Sequence, residues 1–101
     1  MLLNQSVKRP TTDREVLDNI NELVDPDSKA AIPNGFPEAY VGLYYDNDLE
    51  DYRAVYSKQA MVRALCNEDS MTPEEAIEYL EYNTWFTCPP DGNMPLYIEV
   101  V

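Results

Sequence analysis

The chain has no histidine, and only 7 lysines and arginines among its 101 residues. Beyond Arg63 it has no basic residue at all. Each shortage removes a class of function. Without histidine, no Cys–His or Ser–His nucleophilic pair can be assembled. The three glycines, Gly35, Gly42 and Gly92, are scattered and form no phosphate-binding loop. Cys66 and Cys88 stand 22 positions apart, with no histidine and no second cysteine beside either, which is not a zinc pattern. No apolar run is long enough to span a membrane. Met1-Leu2-Leu3 is followed by Asn4 and Gln5 rather than by the apolar core of a signal peptide. The expectation is a cytoplasmic protein with reduced thiols that has no cofactor, no metal and no catalytic centre.

What the chain does have is acid. There are 19 Asp and Glu, for a formal charge of −12. The remaining composition, 45% hydrophobic and 26% charged, is that of an ordinary globular domain. A protein so charged repels nucleic acid and anionic membranes and is drawn to basic surfaces. From Ala64 onward there are eight acids and no base.

Residues 1–11 read as a loose leader containing Lys8, Arg9 and Pro10, and residues 12–101 as a single domain. Thr12-Asp13-Arg14-Glu15 matches a capping box. Val16, Leu17, Ile20, Leu23 and Val24 then form an apolar stripe, predicting an amphipathic helix over 12–25 that Asp25-Pro26-Asp27 ends. Residues 28–37, with Pro33, Asn34-Gly35 and Pro37, read as a linker or turn between that helix and a main unit over 38–101. Residues 39–45 and 52–56 read as a hairpin, with Gly42 marking a bulge or a close approach. Ser57 caps a second helix over 58–67. Thr72-Pro73-Glu74-Glu75 opens a third, with a second capping box and Pro at the first helical position. Its Ala76, Ile77 and Leu80 are expected to face inward. Residues 96–101 read as a last strand. The expected fold is α+β: a small antiparallel sheet, made of the hairpin plus a C-terminal strand, packed with two helices and preceded by the N-terminal amphipathic helix.

Three patterns bear on function. The loop Asp46-Asn47-Asp48-Leu49-Glu50-Asp51 begins like a calcium loop, but Asp51 stands where glycine is required and Ser57 where the bidentate Glu is required. It is read as a solvated acidic hairpin tip. Eight tyrosines suit sheet packing or a protein interface, and no basic surface surrounds them for base stacking. Glu74, Glu78 and Glu81 fall at i, i+4 and i+7 on one helix face, roughly 5–6 Å apart at Cβ for neighbours. That is of the same few-ångström order as the charge spacing along a nucleic-acid backbone.

From Pro37 to its end the chain resembles a group of small phage and prophage proteins. The resemblance is carried by Glu38-Ala39-Tyr40-Val41-Gly42, Ala54-Val55-Tyr56, Ser70-Met71-Thr72-Pro73-Glu74-Glu75-Ala76-Ile77-Glu78-Tyr79, Glu81-Tyr82-Asn83 and Met94-Pro95-Leu96-Tyr97-Ile98. It implies a hairpin, two helices and a closing strand, and supplies no catalytic residues. The chain departs from the group at its N-terminal helix and at Trp85-Phe86-Thr87-Cys88-Pro89-Pro90, which is bulkier than the group's short Gly-containing segment. The expected function is a non-enzymatic acidic phage protein that binds a basic, nucleic-acid-binding surface of a host protein. It would inhibit a defence complex by DNA mimicry, as acidic anti-CRISPR or anti-restriction proteins do. The expected contacts are Glu74, Glu78 and Glu81 with Asp46, Asp48, Glu50 and Asp51, and neither nucleic acid nor membrane is bound directly. The alternative is a structural or self-associating phage accessory protein, a homodimer through the Tyr-rich hairpin and the first helix.

Overall fold

The computed structural model describes residues 9–100. Of the leader expected to be loose, residues 1–8 lie outside that range, and the Arg9 guanidinium donates to the Glu38 carbonyl at 3.1 Å. The expected α+β architecture is present. Helix α1 is Asp13–Leu23, strand β1 Tyr40–Asp46, β2 Asp51–Ser57, helix α2 Lys58–Glu68, α3 Pro73–Leu80 and β3 Leu96–Ile98. A π turn, Glu81–Trp85, continues α3.

The sheet order is β1-β2-β3. β1 and β2 are an antiparallel hairpin, but β3 lies parallel to β2, so the sheet is mixed rather than antiparallel throughout. The reason is the connection. Between β2 and β3 the chain makes α2, α3 and the segment to Pro95, a crossover long enough to return a strand in the same direction. β2 is central, and Ala54, Val55, Tyr56 and Ser57 are buried in succession, as in a strand covered on both faces. The bulge falls where expected, with the register shifting between Tyr40 and Gly42. The extra residue lets Tyr40 and Leu43, three apart, both turn to the core. Among the described residues nothing stands within 4 Å of where a Gly42 Cβ would be, so it serves the bulge and not a close approach.

Both capping boxes form as read. Thr12 and Glu15 exchange their bonds at 3.2 Å each way. Thr72 accepts from the Glu75 N–H at 3.2 Å while Glu75 accepts from the Thr72 N–H at 2.9 Å. Helix α2 ends tidily despite its two terminal acids. Ser70 takes φ 57°, and the Met71 N–H returns to the Leu65 carbonyl at 3.5 Å, so a left-handed residue turns the chain back on the helix end.

Residues 28–37 are not a mere linker. Ala30 bridges Asn93, and the Asn93 N–H donates to the Lys29 carbonyl at 2.7 Å. Gly92 lies so close to this segment that an added Cβ would stand 2.9 Å from the Ala31 Cβ. Helix α1 is therefore tied to the sheet, and its Val16 and Ile20 enter one core with Tyr40, Tyr56, Met61, Leu65, Ala76, Leu80 and Trp85.

Tyr40 and Tyr56 are cross-strand partners, with rings edge-to-face at 5.7 Å. The Tyr56 hydroxyl is buried and has no hydrogen-bond partner among the described residues, and the same holds for Asp13 Oδ1. Burial first, then the Asp13 charge, pushes the Tyr56 hydroxyl's pKa up. Removing an unpartnered buried hydroxyl relieves a desolvation cost. Tyr56→Phe is accordingly expected to keep or raise stability, by up to about 1 kcal/mol. Urea denaturation checks this, and a loss of about 2 kcal/mol would mean that the hydroxyl is bonded in solution.

Candidate functional site

Helix α3 presents two faces. Ala76 and Leu80 are fully buried, and the helix packs on α2. Ile77, expected inside, is instead 40% exposed. It follows Ala76 by one position, and a helix turns by roughly 100° per residue, which carries its side chain off the buried stripe. Glu75 is spent on the cap. Glu74, Glu78 and Glu81 are exposed, and among the described residues no hydrogen bond or ion pair engages their carboxylates. The ion pairs that do form, Arg14–Asp18 and Arg53–Asp46 at 3.4 Å each, belong to other elements.

The helix does not simply stop after Leu80. It widens into the π turn Glu81–Trp85. Leu80 and Trp85 are five residues apart, which in an α-helix would point them roughly 140° apart; the wider i→i+5 turn narrows that divergence and returns Trp85 to the buried side. There the indole N–H donates to Met61 Sδ at 3.5 Å, and Lys58 Nζ sits 4.8 Å from the ring centroid. The same turn leaves Tyr82 85% and Phe86 72% exposed. Helical spacing of five was not recognisable as a core pattern, so both the burial of Trp85 and this exposed aromatic pair escaped the sequence reading.

At the hairpin the expected tip acids divide. Asp46 and Asp51 are cross-strand partners that close the ladder, leaving residues 47–50 as the turn. Asp46 Oδ1 accepts the N–H groups of Asp48 at 2.9 Å and Leu49 at 3.3 Å, while Oδ2 meets Arg53. Asp51 is more fully engaged. Oδ1 accepts from Ser28 Oγ at 2.7 Å and the Tyr52 N–H at 2.6 Å. Oδ2 accepts from the Lys29 N–H and Asn93 Nδ2, both at 2.9 Å. Partial burial pushes the Asp51 carboxyl up, but the bonds from Lys29, Ser28, Tyr52 and Asn93 outweigh it and hold the pKa at about 2. Asp46 and Asp51 therefore serve the fold, their oxygens taken up within the chain. Asp48 and Glu50 remain exposed at the tip.

An open groove of about 1210 Å³ runs between α1, the start of β1 and α2. Its charges are mixed, with Arg9 and Arg63 among Glu15, Asp18, Glu22, Glu38 and Glu68. Tyr40 donates to Asn19 Oδ1 there at 2.9 Å. Among the described residues no three His, Cys, Asp or Glu side chains group as metal ligands. Nor is any helix long and apolar enough to cross a membrane. Cys66 and Cys88 are unpaired. No protein-family model, curated protein or solved structure matches the chain.

Proposed function

We propose that the chain is a small acidic phage protein that acts by binding rather than by catalysis. Its partner is a host protein with a basic surface, and occupation of a nucleic-acid groove by DNA mimicry is the sharpest form of this reading. One observation carries it: the outer face of α3 and the turn that continues it holds Glu74, Glu78 and Glu81, with no cation paired to them among the described residues, in a stretch where the sequence has no base after Arg63. Neighbouring like charges on a helix are destabilising by a few tenths of a kcal/mol per pair. Asp48 and Glu50 are secondary contacts, and Asp46 and Asp51 leave the set.

The test begins with a partner isolated from bacterial lysate at low salt. Glu78→Lys with Glu81→Lys is expected to weaken its binding by about a hundredfold or more, since like charges brought together across an interface cost several kcal/mol. Wild-type binding is expected to fall with salt and to compete with double-stranded DNA. Unchanged affinity in the double variant would end this reading. Self-association is favoured by a different observation, the exposure of Val41, Tyr44 and Tyr45 along β1, an edge strand of the sheet. A stable dimer in light scattering, indifferent to salt, would favour it instead.

A further inference from the structure

We infer that Tyr82 and Phe86, with Glu78 and Glu81, form a docking surface for an arginine-bearing segment of a protein. The inference rests on the reading of α3 as a partner-binding face and specifies what that face recognises. Glu78 and Tyr82 are four apart, Glu78 and Glu81 three, and Tyr79 and Tyr82 three, so these side chains are neighbours on one surface. Phe86 caps the π turn four residues after Tyr82. Within residues 78–86, two aromatic rings, 85% and 72% exposed, share the surface with two exposed carboxylates that no hydrogen bond or ion pair engages among the described residues. Neither ring is in contact with another ring or a cation among the described residues, in contrast to Trp85, whose face is already covered by Lys58.

The chemistry of the patch selects its occupant. A purely apolar partner would bury Glu78 and Glu81 uncompensated, which is strongly unfavourable. Nucleic-acid bases would stack on the rings, but their phosphates would meet the two carboxylates. A lysine would pair with the acids as a compact, strongly hydrated point charge. An arginine guanidinium does both things at once: it is planar, stacks on aromatic faces and meets a carboxylate through two parallel N–H donors. An ammonium can also sit over a ring, as Lys58 does on Trp85, but guanidinium alone adds planar stacking and a two-pronged carboxylate contact.

The experiment titrates the whole chain with a short oligo-arginine peptide and with an oligo-lysine peptide of the same length, followed by backbone amide NMR. The arginine peptide is expected to bind about tenfold more tightly, the size of one or two cation–π contacts, with shifts concentrated over residues 78–86. Tyr82→Ala with Phe86→Ala is expected to abolish that preference and leave the lysine peptide's affinity as it was. Both sites are exposed, so the melting temperature of this variant is expected to match the wild type. Equal affinity for the two peptides in the wild type, with both weakened by Glu78→Gln and Glu81→Gln, would overturn the arginine site and leave the basic-partner reading standing. Binding of neither peptide would overturn both.

Discussion

Replacing Asp51 with alanine is expected to cost about 2–3 kcal/mol, with a fall in Tm of roughly 10–20 °C for a domain of this size. The carboxylate is the meeting point of three chain segments. It accepts from Ser28 and Lys29 at the end of the α1 connection, from Tyr52 at the start of β2, and from Asn93 before β3. Alanine would leave the Lys29 N–H and the Asn93 amide without their acceptor, and hydrogen bonds to charged groups are worth about 1.5–3 kcal/mol each before non-additivity. Asparagine keeps the shape but turns an NH₂ group toward these donors, so Asp51→Asn is expected to recover less than roughly half of the loss. Asp48→Ala, at the exposed tip, serves as the control and is expected to stay within about 0.5 kcal/mol of wild type. The pH dependence has a definite sign. The folded pKa of about 2 lies below the ordinary value of 3.8, so the stabilisation is complete above pH 4 and is lost as pH falls toward 2. Urea midpoints between pH 5 and 2 would show it: wild type falls steeply over that window and Asp51→Ala less so. Parallel pH profiles for the two proteins would mean that the bracket contributes nothing.

None of that was visible in the order of residues. Asp51 is one acid among 19, and its partners other than the adjacent Tyr52 lie 22 to 42 positions away, so no local pattern marks it. The elements that were legible are those specified by neighbours in sequence. Thr12 with Glu15 and Thr72 with Glu75 place two helix starts through contacts only three residues long. Alternating aromatic and branched residues marked the hairpin, and Gly42 its bulge. The direction of β3 was not legible, because Leu96-Tyr97-Ile98 pairs equally well either way round and the preceding crossover decides it. The candidate surface was half legible. The acids of α3 follow from helical spacing, but aromatic residues default to the core, which concealed Tyr82 and Phe86 as surface groups and, for lack of a 3.6-residue repeat, concealed Trp85 as a core one.

Trp85→Ala is expected to have the largest effect of any single substitution in the C-terminal half, about 3–5 kcal/mol. The ring is buried against the core cluster, and truncating it leaves a cavity, an unfilled approach to Met61 Sδ and a Lys58 ammonium without its aromatic partner. What distinguishes the packing from a simple hydrophobic contact is the turn that delivers it. In a continuous α-helix, residues five apart point roughly 140° away from each other, and residues four apart only about 40°. Deleting Asn83, whose side chain donates to the exposed Tyr79 carbonyl at 2.9 Å, makes Leu80 and Trp85 four apart and lets an ordinary α-helix seat both. That deletion is expected to cost no more than about 1 kcal/mol, the scale of one lost hydrogen bond. Inserting one alanine after Asn83 makes them six apart, suits neither turn, and is expected to cost as much as Trp85→Ala, about 3–5 kcal/mol. Emission from the single tryptophan reports the outcome directly: blue-shifted in the wild type and the deletion, red-shifted in the insertion. If the deletion unfolds the protein while the insertion is tolerated, the widened turn does not exist to seat Trp85, and the outward placement of Tyr82 and Phe86 requires another cause.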